Sequence, residues 1–378
     1  MGFVFEAYSG MLSAYSLPMV SVSDAAYQKD IKRNKITLKN GTVYTGDLRM
    51  GRPHGNGKAV YKNGNVYEGF FLKGKRSGKG IMTYSNGDGY EGTFEKDSIH
   101  GEGKYYFADG RLYEGTWSKG ICDDKGRMKY PNGDSYDGEW NDGKRNGNGR
   151  YLFSDGSSYV GEWTDDLFSG KGVFVWSDSS KYEGEWKDGK RNGFGIFHAS
   201  DSSLYKGEWI DNACNGSGAF IAPDSSCYIG MFKDGKWHGE GMFIASDSSV
   251  YKGTFVDGVR HGKGTMRFAN GDVYVGDWEN NKRCGKGTYT WSNGDVYEGD
   301  WKNDTMHGAG VLRLNSGVEY KGGYSDGNEN GAGVAIDQDG VRYEGVFVEG
   351  QRHGKFFVKD IDGKVIRESV YNFGILKK

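Results

Sequence analysis

The stretch Tyr182–Gly195, YEGEWKDGKRNGFG, decides how this chain folds because it returns almost unchanged: Tyr136–Gly149 reads YDGEWNDGKRNGNG and Tyr297–Gly310 reads YEGDWKNDTMHGAG. Aligning the tyrosine of each Y-x-G puts Tyr44, Tyr67, Tyr90, Tyr113, Tyr136, Tyr159, Tyr182, Tyr205, Tyr228, Tyr251, Tyr274, Tyr297, Tyr320 and Tyr343 in one series, each 23 residues after the last. Such a period has to be read before anything else, since it marks an array of small units. Counting from the tyrosine, Gly follows at position two, an aromatic at four, Gly at seven, eleven and thirteen, and Asp/Asn-Gly or Asp-Ser near twenty. The departures are few. Leu48 takes position four, Asp97, Asp166, Asn212, Asn281 and Asp304 take position seven, and Asp124 and Phe356 replace glycines at eleven and thirteen.

A chain of 378 residues ordinarily implies two or three compact domains, but an unbroken repeat replaces that expectation with one array. We divide the chain into a non-repeat tail or cap (1–35), the repeat array (36–365) and a C-terminal tail (366–378). With 65 Gly, 4 Pro and a hydrophobic fraction of 36% rich in Tyr, Phe and Trp, the chain is neither collagen-like nor disordered. A formal charge of -2 excludes a global attraction to nucleic acid. Cys122, Cys214, Cys227 and Cys284 fall in different units without C-x-x-C spacing, which predicts free thiols in a reducing compartment. The first twenty residues lack the cationic start of a signal peptide and are interrupted by Gly, Glu and Pro, so neither secretion nor a membrane helix is expected. A cytoplasmic protein is the expectation.

In Tyr182-Glu-Gly-Glu-Trp186 the aromatics and glycine share one parity and the carboxylates the other, the period of a strand with one buried face. Gly285-Lys-Gly-Thr-Tyr-Thr-Trp291 repeats the alternation, so each unit is a β-hairpin whose turn runs from Asp188-Gly189 towards Asn192. Asn293-Gly294 and its equivalents are the tight turns that join one hairpin to the next. The predicted fold is all-β: an elongated, single-layer antiparallel meander of fourteen hairpins, curled because long flat sheets are unusual. Glycines on the aromatic face leave hollows for tyrosine and tryptophan rings to cover.

The pattern Y-E-G-x-W/F-x-x-G-x-x-H-G-x-G, present from Tyr251 to Gly264 with only Lys252 departing, resembles the MORN repeat. The resemblance implies a β-hairpin array. It also implies non-catalytic scaffolds of cytoskeletal, membrane-associated, ciliary or flagellar and junctional structures, with phosphoinositide binding proposed for several members. Proteins made almost wholly of such repeats, among them protist scaffolds of the cell-division basal complex, share this architecture. These arrays are elsewhere fused to kinase or methyltransferase domains; residues 366–378 are too few for one, so neither is expected in this sequence.

No catalytic constellation, metal or cofactor is expected. His54, His100, His238, His261, His307 and His353 share one slot, but Ser, Asp, Asn or Cys fills it in other units, as a turn position allows. Gly74-Lys-Arg-Ser-Gly78-Lys79-Gly80 lacks the spacing and the Ser or Thr of a phosphate loop. Glu183 and Glu185 recur as an outward pair expected to meet lysines across the hairpin.

Three surfaces are candidates for partners. Outward positions in units six to nine are apolar, with Val173, Val175, Phe194, Ile196, Ala219, Ile221, Ile229, Met231, Met242 and Ile244, and the same units put Ser179, Ser202, Ser225 and Ser248 where turn glycines stand elsewhere. Val311, Val334, Ile336, Val346 and Phe357 form a thinner C-terminal band, read either as a homodimer interface or as a face covered by the chain's own tail through Tyr371 and Phe373. Lys75-Arg76, Lys144-Arg145, Lys190-Arg191, Arg260 and Lys282-Arg283 line one edge, a strip for phosphoinositide headgroups or acidic tails, diluted by Asp142, Asp188 and Asp257. The function expected is a self-associating scaffold binding cytoskeletal or membrane-associated proteins; the alternative is a phosphoinositide-binding peripheral module.

Overall fold

The computed structural model describes residues 34–377; of the tail or cap assigned to residues 1–35, residues 1–33 lie outside the described residues, while Asn34 and Lys35 open the first strand, paired with Gly46 and Thr45. Every strand pairs antiparallel with its chain neighbours, from β1 (Asn34–Thr37) to β31 (Ile375–Leu376), which makes one open meander. In unit seven, β14 (Lys181–Lys187) and β15 (Lys190–His198) form the hairpin, and seven-residue then nine-residue strands repeat through the array. Among the described residues no helix is long and apolar enough to cross a membrane.

The two kinds of turn differ from the sequence expectation. The hairpin turn is only Asp188-Gly189, with φ of 50° and 76°, and Lys190–Asn192 already belongs to the second strand. Two consecutive left-handed residues match the right-handed twist of the flanking strands. Asn293-Gly294 instead sits in a five-residue connection, where Gly294 N–H donates to Trp291 O (2.9 Å) and Trp291 N–H donates to Asp295 O (2.9 Å). Only Gly294 is left-handed there, at 93°. The dipeptide therefore closes a wider loop rather than a two-residue turn.

The buried face is a file of rings. Tyr182 packs edge-on between Trp186 of its own unit (5.1 Å, 89°) and Trp209 of the next (5.3 Å, 83°), and the same T-shaped alternation runs from Tyr44 to Phe347. Trp186 donates from Nε1 to Gly172 O of the preceding hairpin (3.2 Å), and Trp140, Trp163, Trp209, Trp278 and Trp301 tie their units in the same way, whereas Nε1 of Trp117 is buried without a partner among the described residues. Tyr182 lies flat over Gly184 and Gly195 and donates from Oη to Glu185 O (3.0 Å). A Cβ on Gly184 would stand 2.6 Å from Tyr182 Oη, which is why glycine occupies a strand interior where it is otherwise disfavoured. One hairpin cannot cover its own ring, and the next one supplies the second wall.

The C-terminal end closes within the chain. The predicted tail adds β30 (Val365–Asn372) along β29 (Gln351–Lys359). Phe356, standing where other units have glycine, is fully buried over Gly345 and takes the place that the tyrosine holds elsewhere. It packs on Phe347 (5.3 Å) and on Tyr371 (5.3 Å), so Tyr371 serves as the missing next aromatic. Tyr343 is displaced and donates to Asp337 Oδ2 (3.2 Å) instead.

Candidate interaction surfaces

Opposite the rings lies the outward face, whose charges are partly committed inside the sheet. A bulge follows position ten, and where position three is an acid, rather than Phe70, Thr93, Met231 or Val346 as in other units, it caps the bulge: Glu162 accepts from Lys171 N (2.9 Å), Glu208 from Ser217 N (3.1 Å) and Asp277 from Lys286 N (2.9 Å). Glu185 does the same for Phe194 N at 3.4 Å, and Glu183 pairs with Lys181 on its own strand (2.8 Å). Neither member of the pair meets a lysine across the hairpin: the lysine of Glu183 is on its own strand, and Glu185 accepts from the main chain. Cross-strand ion pairs exist between hairpins, as in Lys104–Glu114 (2.6 Å) and Lys286–Asp300 (2.6 Å). Exposed pairs of this kind contribute about 0–1 kcal/mol each.

The basic edge separates into two halves. Lys75, Lys144, Lys190 and Lys282 are exposed, with Lys144 on Asp165 (3.2 Å) and Lys190 on Asp211 (3.5 Å). The arginines turn inward. Arg145, Arg191, Arg260 and Arg283 hold their guanidinium groups 4.3–4.5 Å from the ring centres of Trp163, Trp209, Trp278 and Trp301. Each also donates to the residue at position seven of the next unit, Asp166, Asn212, Asn281 and Asp304 respectively, and Arg76 does so to Asp97. All five acceptors are left-handed residues that replace glycine. Sequence reasoning noted these departures without their cause. The signal was available, since each follows a unit with arginine at position nine.

The apolar bands both face outward. Phe194, Ile221, Ile229 and Met231 are exposed, while Val173, Val175, Ile196, Ala219, Met242 and Ile244 are half-buried. Strand pairing sets Ala219, Ile229 and Met242 side by side, and Ile221, Cys227 and Ile244 beside them. Ser179, Ser202, Ser225 and Ser248 hold the left-handed conformation of the glycines they replace, at φ of 69–74°. In the C-terminal band Val346 and Phe357 are exposed and Val311, Val334 and Ile336 half-buried, with Lys355 Nζ 4.8 Å from the Phe357 ring centre. Val311 lines an open trough of about 1400 Å³ across units nine to thirteen, and Val334, Val346 and Phe357 line its continuation of about 570 Å³. Glycines floor the trough, and Lys252, Lys286, Glu298 and Arg313 stand on its walls.

Chemistry-bearing groups are scattered. Among the described residues no three His, Cys, Asp or Glu side chains converge as a metal site requires. Nδ1 of His238, His307 and His353 is buried without a partner. The four cysteines are free; burial pushes the Cys122 thiol up to about 12 and that of Cys214 to about 11, which keeps both un-ionised at neutral pH.

The sequence model of the MORN repeat matches fourteen consecutive segments, from residues 44–66 to residues 343–355. No curated protein matches the chain. Among solved structures, the TCP domain of Drosophila melanogaster SAS-4 in complex with a proline-rich motif of Ana2 is 10% identical. That match covers 47% of this chain and 89% of that one at a TM-score of 0.29. The TCP10 domain of Danio rerio CPAP in complex with a STIL peptide is 11% identical and covers 90% of this chain and 99% of that one, at a TM-score of 0.11.

Proposed function

The chain belongs to the MORN-repeat family, and from that premise we propose that it is a non-enzymatic scaffold that self-associates and binds other proteins along the outward face of its sheet. The observation that carries this reading is the solvent-facing side of the array, where two apolar bands and a glycine-floored trough stand uncovered among the described residues. Exposed apolar patches of this extent mark interaction sites. A cytoplasmic setting in cytoskeletal or membrane-associated assemblies follows from the family resemblance.

Self-association is supported at the C-terminal edge. Among the described residues β30 is covered on its far side only by the two-residue β31, and Ile366, Val370 and Ile375 are exposed there, beside Val346 and Phe357. An apolar, unpaired strand edge is a template for a second chain. Light scattering with small-angle X-ray scattering on the full chain tests this: a dimer of rods that Phe357→Lys with Val370→Lys converts to monomers is expected. A monomer at every concentration overturns self-association.

Phosphoinositide binding rests on the exposed lysines Lys75, Lys144, Lys190 and Lys282, because the arginines beside them are held internally. Salt-sensitive co-sedimentation with phosphoinositide liposomes, lost when these four become Gln, is its test.

A further inference from the structure

Units six to nine differ from the rest of the array in a coordinated way that reaches beyond their apolar band. In units three, five and eleven a tyrosine at position fifteen donates to an aspartate of the preceding connection: Tyr105 to Asp88 (2.8 Å), Tyr151 to Asp134 (2.7 Å) and Tyr289 to Asp272 (2.6 Å). Those carboxylates also accept a main-chain N–H, so they are spent inside the sheet. In units six to nine phenylalanine replaces the tyrosine (Phe174, Phe197, Phe220, Phe243) and serine replaces the aspartate (Ser157, Ser180, Ser203, Ser226).

The aspartate has moved two residues earlier, to the exposed tip of the loop. Asp155, Asp178, Asp201, Asp224 and Asp247 stand there in five consecutive units, each accepting from the main-chain N–H two residues on (2.8–2.9 Å). Among the described residues none of the five has a cationic partner, and Lys181, which follows the loop of Asp178, is paired with Glu183. This file abuts the apolar face, because Ile221 and Ile244 end their strands and lead directly into the loops of Asp224 and Asp247. Along the opposite margin run Glu185, Glu208 and Glu240. Lys171, Lys181 and Lys206 are cations on that surface, and Lys252 stands at its end, paired beside Met242.

The dimensions select the occupant. From position twelve to position sixteen of a strand is four residues, about 13 Å at roughly 3.3 Å each, which is the width of one α-helix at about 10–12 Å. Along the array a unit advances about 9.6 Å, two strands at about 4.8 Å, while seven residues of helix rise about 10.5 Å. One heptad therefore meets one hairpin, and four units seat a helix of about 25 residues. Building on the scaffold reading above, we propose that units six to nine dock a basic amphipathic α-helix of a partner protein. Its apolar stripe lies on Phe194, Ile221, Ile229 and Met231, and its flanking lysines or arginines meet the aspartate file.

The test uses the full chain and three labelled 25-residue peptides, read by fluorescence anisotropy: a Leu/Lys heptad helix, its Leu/Glu counterpart, and the Leu/Lys sequence interrupted by prolines. The Leu/Lys helix is expected to bind at least 10-fold more tightly than either control and to weaken with salt. Ile229→Lys should abolish binding. The combined Asp178→Asn, Asp201→Asn, Asp224→Asn and Asp247→Asn variant should lose about 10-fold, with its fold retained because the amide Oδ1 of Asn still accepts the main-chain N–H two residues on. Equal binding of the Leu/Glu peptide, or no effect of the Asn variant, overturns the acidic recognition. Equal binding of the proline peptide replaces the helix with an extended occupant, and no binding of any peptide overturns the proposal. In every such case the scattering experiment above still decides the scaffold reading by itself.

Discussion

Arg145 holds Asp166 of the next hairpin by two groups at once, Nε standing 2.9 Å from the carboxylate and Nη2 3.0 Å from the main-chain oxygen. The main-chain N–H of Arg145 donates to the same carboxylate (3.1 Å), and the guanidinium lies on Trp163. A left-handed aspartate (φ 71°) is strained, and this grip is what offsets the strain. Arg145→Ala should cost about 2–3 kcal/mol from lost charge-assisted hydrogen bonds and stacking. Asp166→Gly, which relieves the backbone, should cost less than about 1 kcal/mol. Urea denaturation of both singles and the double should give a coupling of about 1–2 kcal/mol; simple additivity would refute the staple.

The ring file makes a graded prediction at Tyr182. Phenylalanine there removes only the hydrogen bond to Glu185 O and should cost about 1 kcal/mol. Alanine opens a cavity between Trp186 and Trp209 and should cost about 3–5 kcal/mol. Gly195→Ala should be as damaging as Tyr182→Ala, because its Cβ would enter the Tyr182 ring. A tolerated Gly195→Ala, judged by its melting temperature, would contradict this packing.

Phe356→Gly restores the repeat pattern yet removes the ring that closes the C-terminal end. We expect loss of amide protection confined to β28 (Arg342–Val348), β29 and β30, measured by hydrogen exchange, with the central units unchanged. Unchanged protection in β30 would show that Tyr371 is held some other way.

Ser179→Gly, Ser202→Gly, Ser225→Gly and Ser248→Gly should each stabilise the array, by about 1 kcal/mol, since serine there adopts a left-handed backbone that glycine accepts without strain. Thermal melts of the single variants check it; a lower melting temperature would mean the hydroxyls matter more than the backbone.

Alkaline pH should unfold the chain. Burial pushes Tyr67, Tyr182, Tyr228 and Tyr251 up to about 12, from the usual 10.0. The unfolded tyrosines ionise first, so the unfolded state binds fewer protons between pH 10 and about 12, and stability falls as pH rises through that window. Below pH 10.0 the contribution is complete. Far-ultraviolet dichroism should be lost together with the late part of the tyrosinate absorbance; a tyrosinate signal at pH 10.0 in the folded chain that Tyr182→Phe removes would disprove the burial.

The period of 23 determined the architecture by itself: parity set the buried face, and unbroken spacing required every hairpin to lean on the next. It also located the outward residues, because alternation in a strand fixes facing without knowledge of the partner strand. Tertiary structure alone decided which turn is tight, since Asp188-Gly189 and Asn293-Gly294 are both good turn dipeptides and only the bulge beside the former shortens it to two residues. It alone withdrew the arginines from the basic edge. Lys144 and Arg145 are adjacent in sequence, but strand pleating sends one to solvent and the other across to Trp163, a ring 18 residues further on (163 minus 145) that only hairpin stacking brings near.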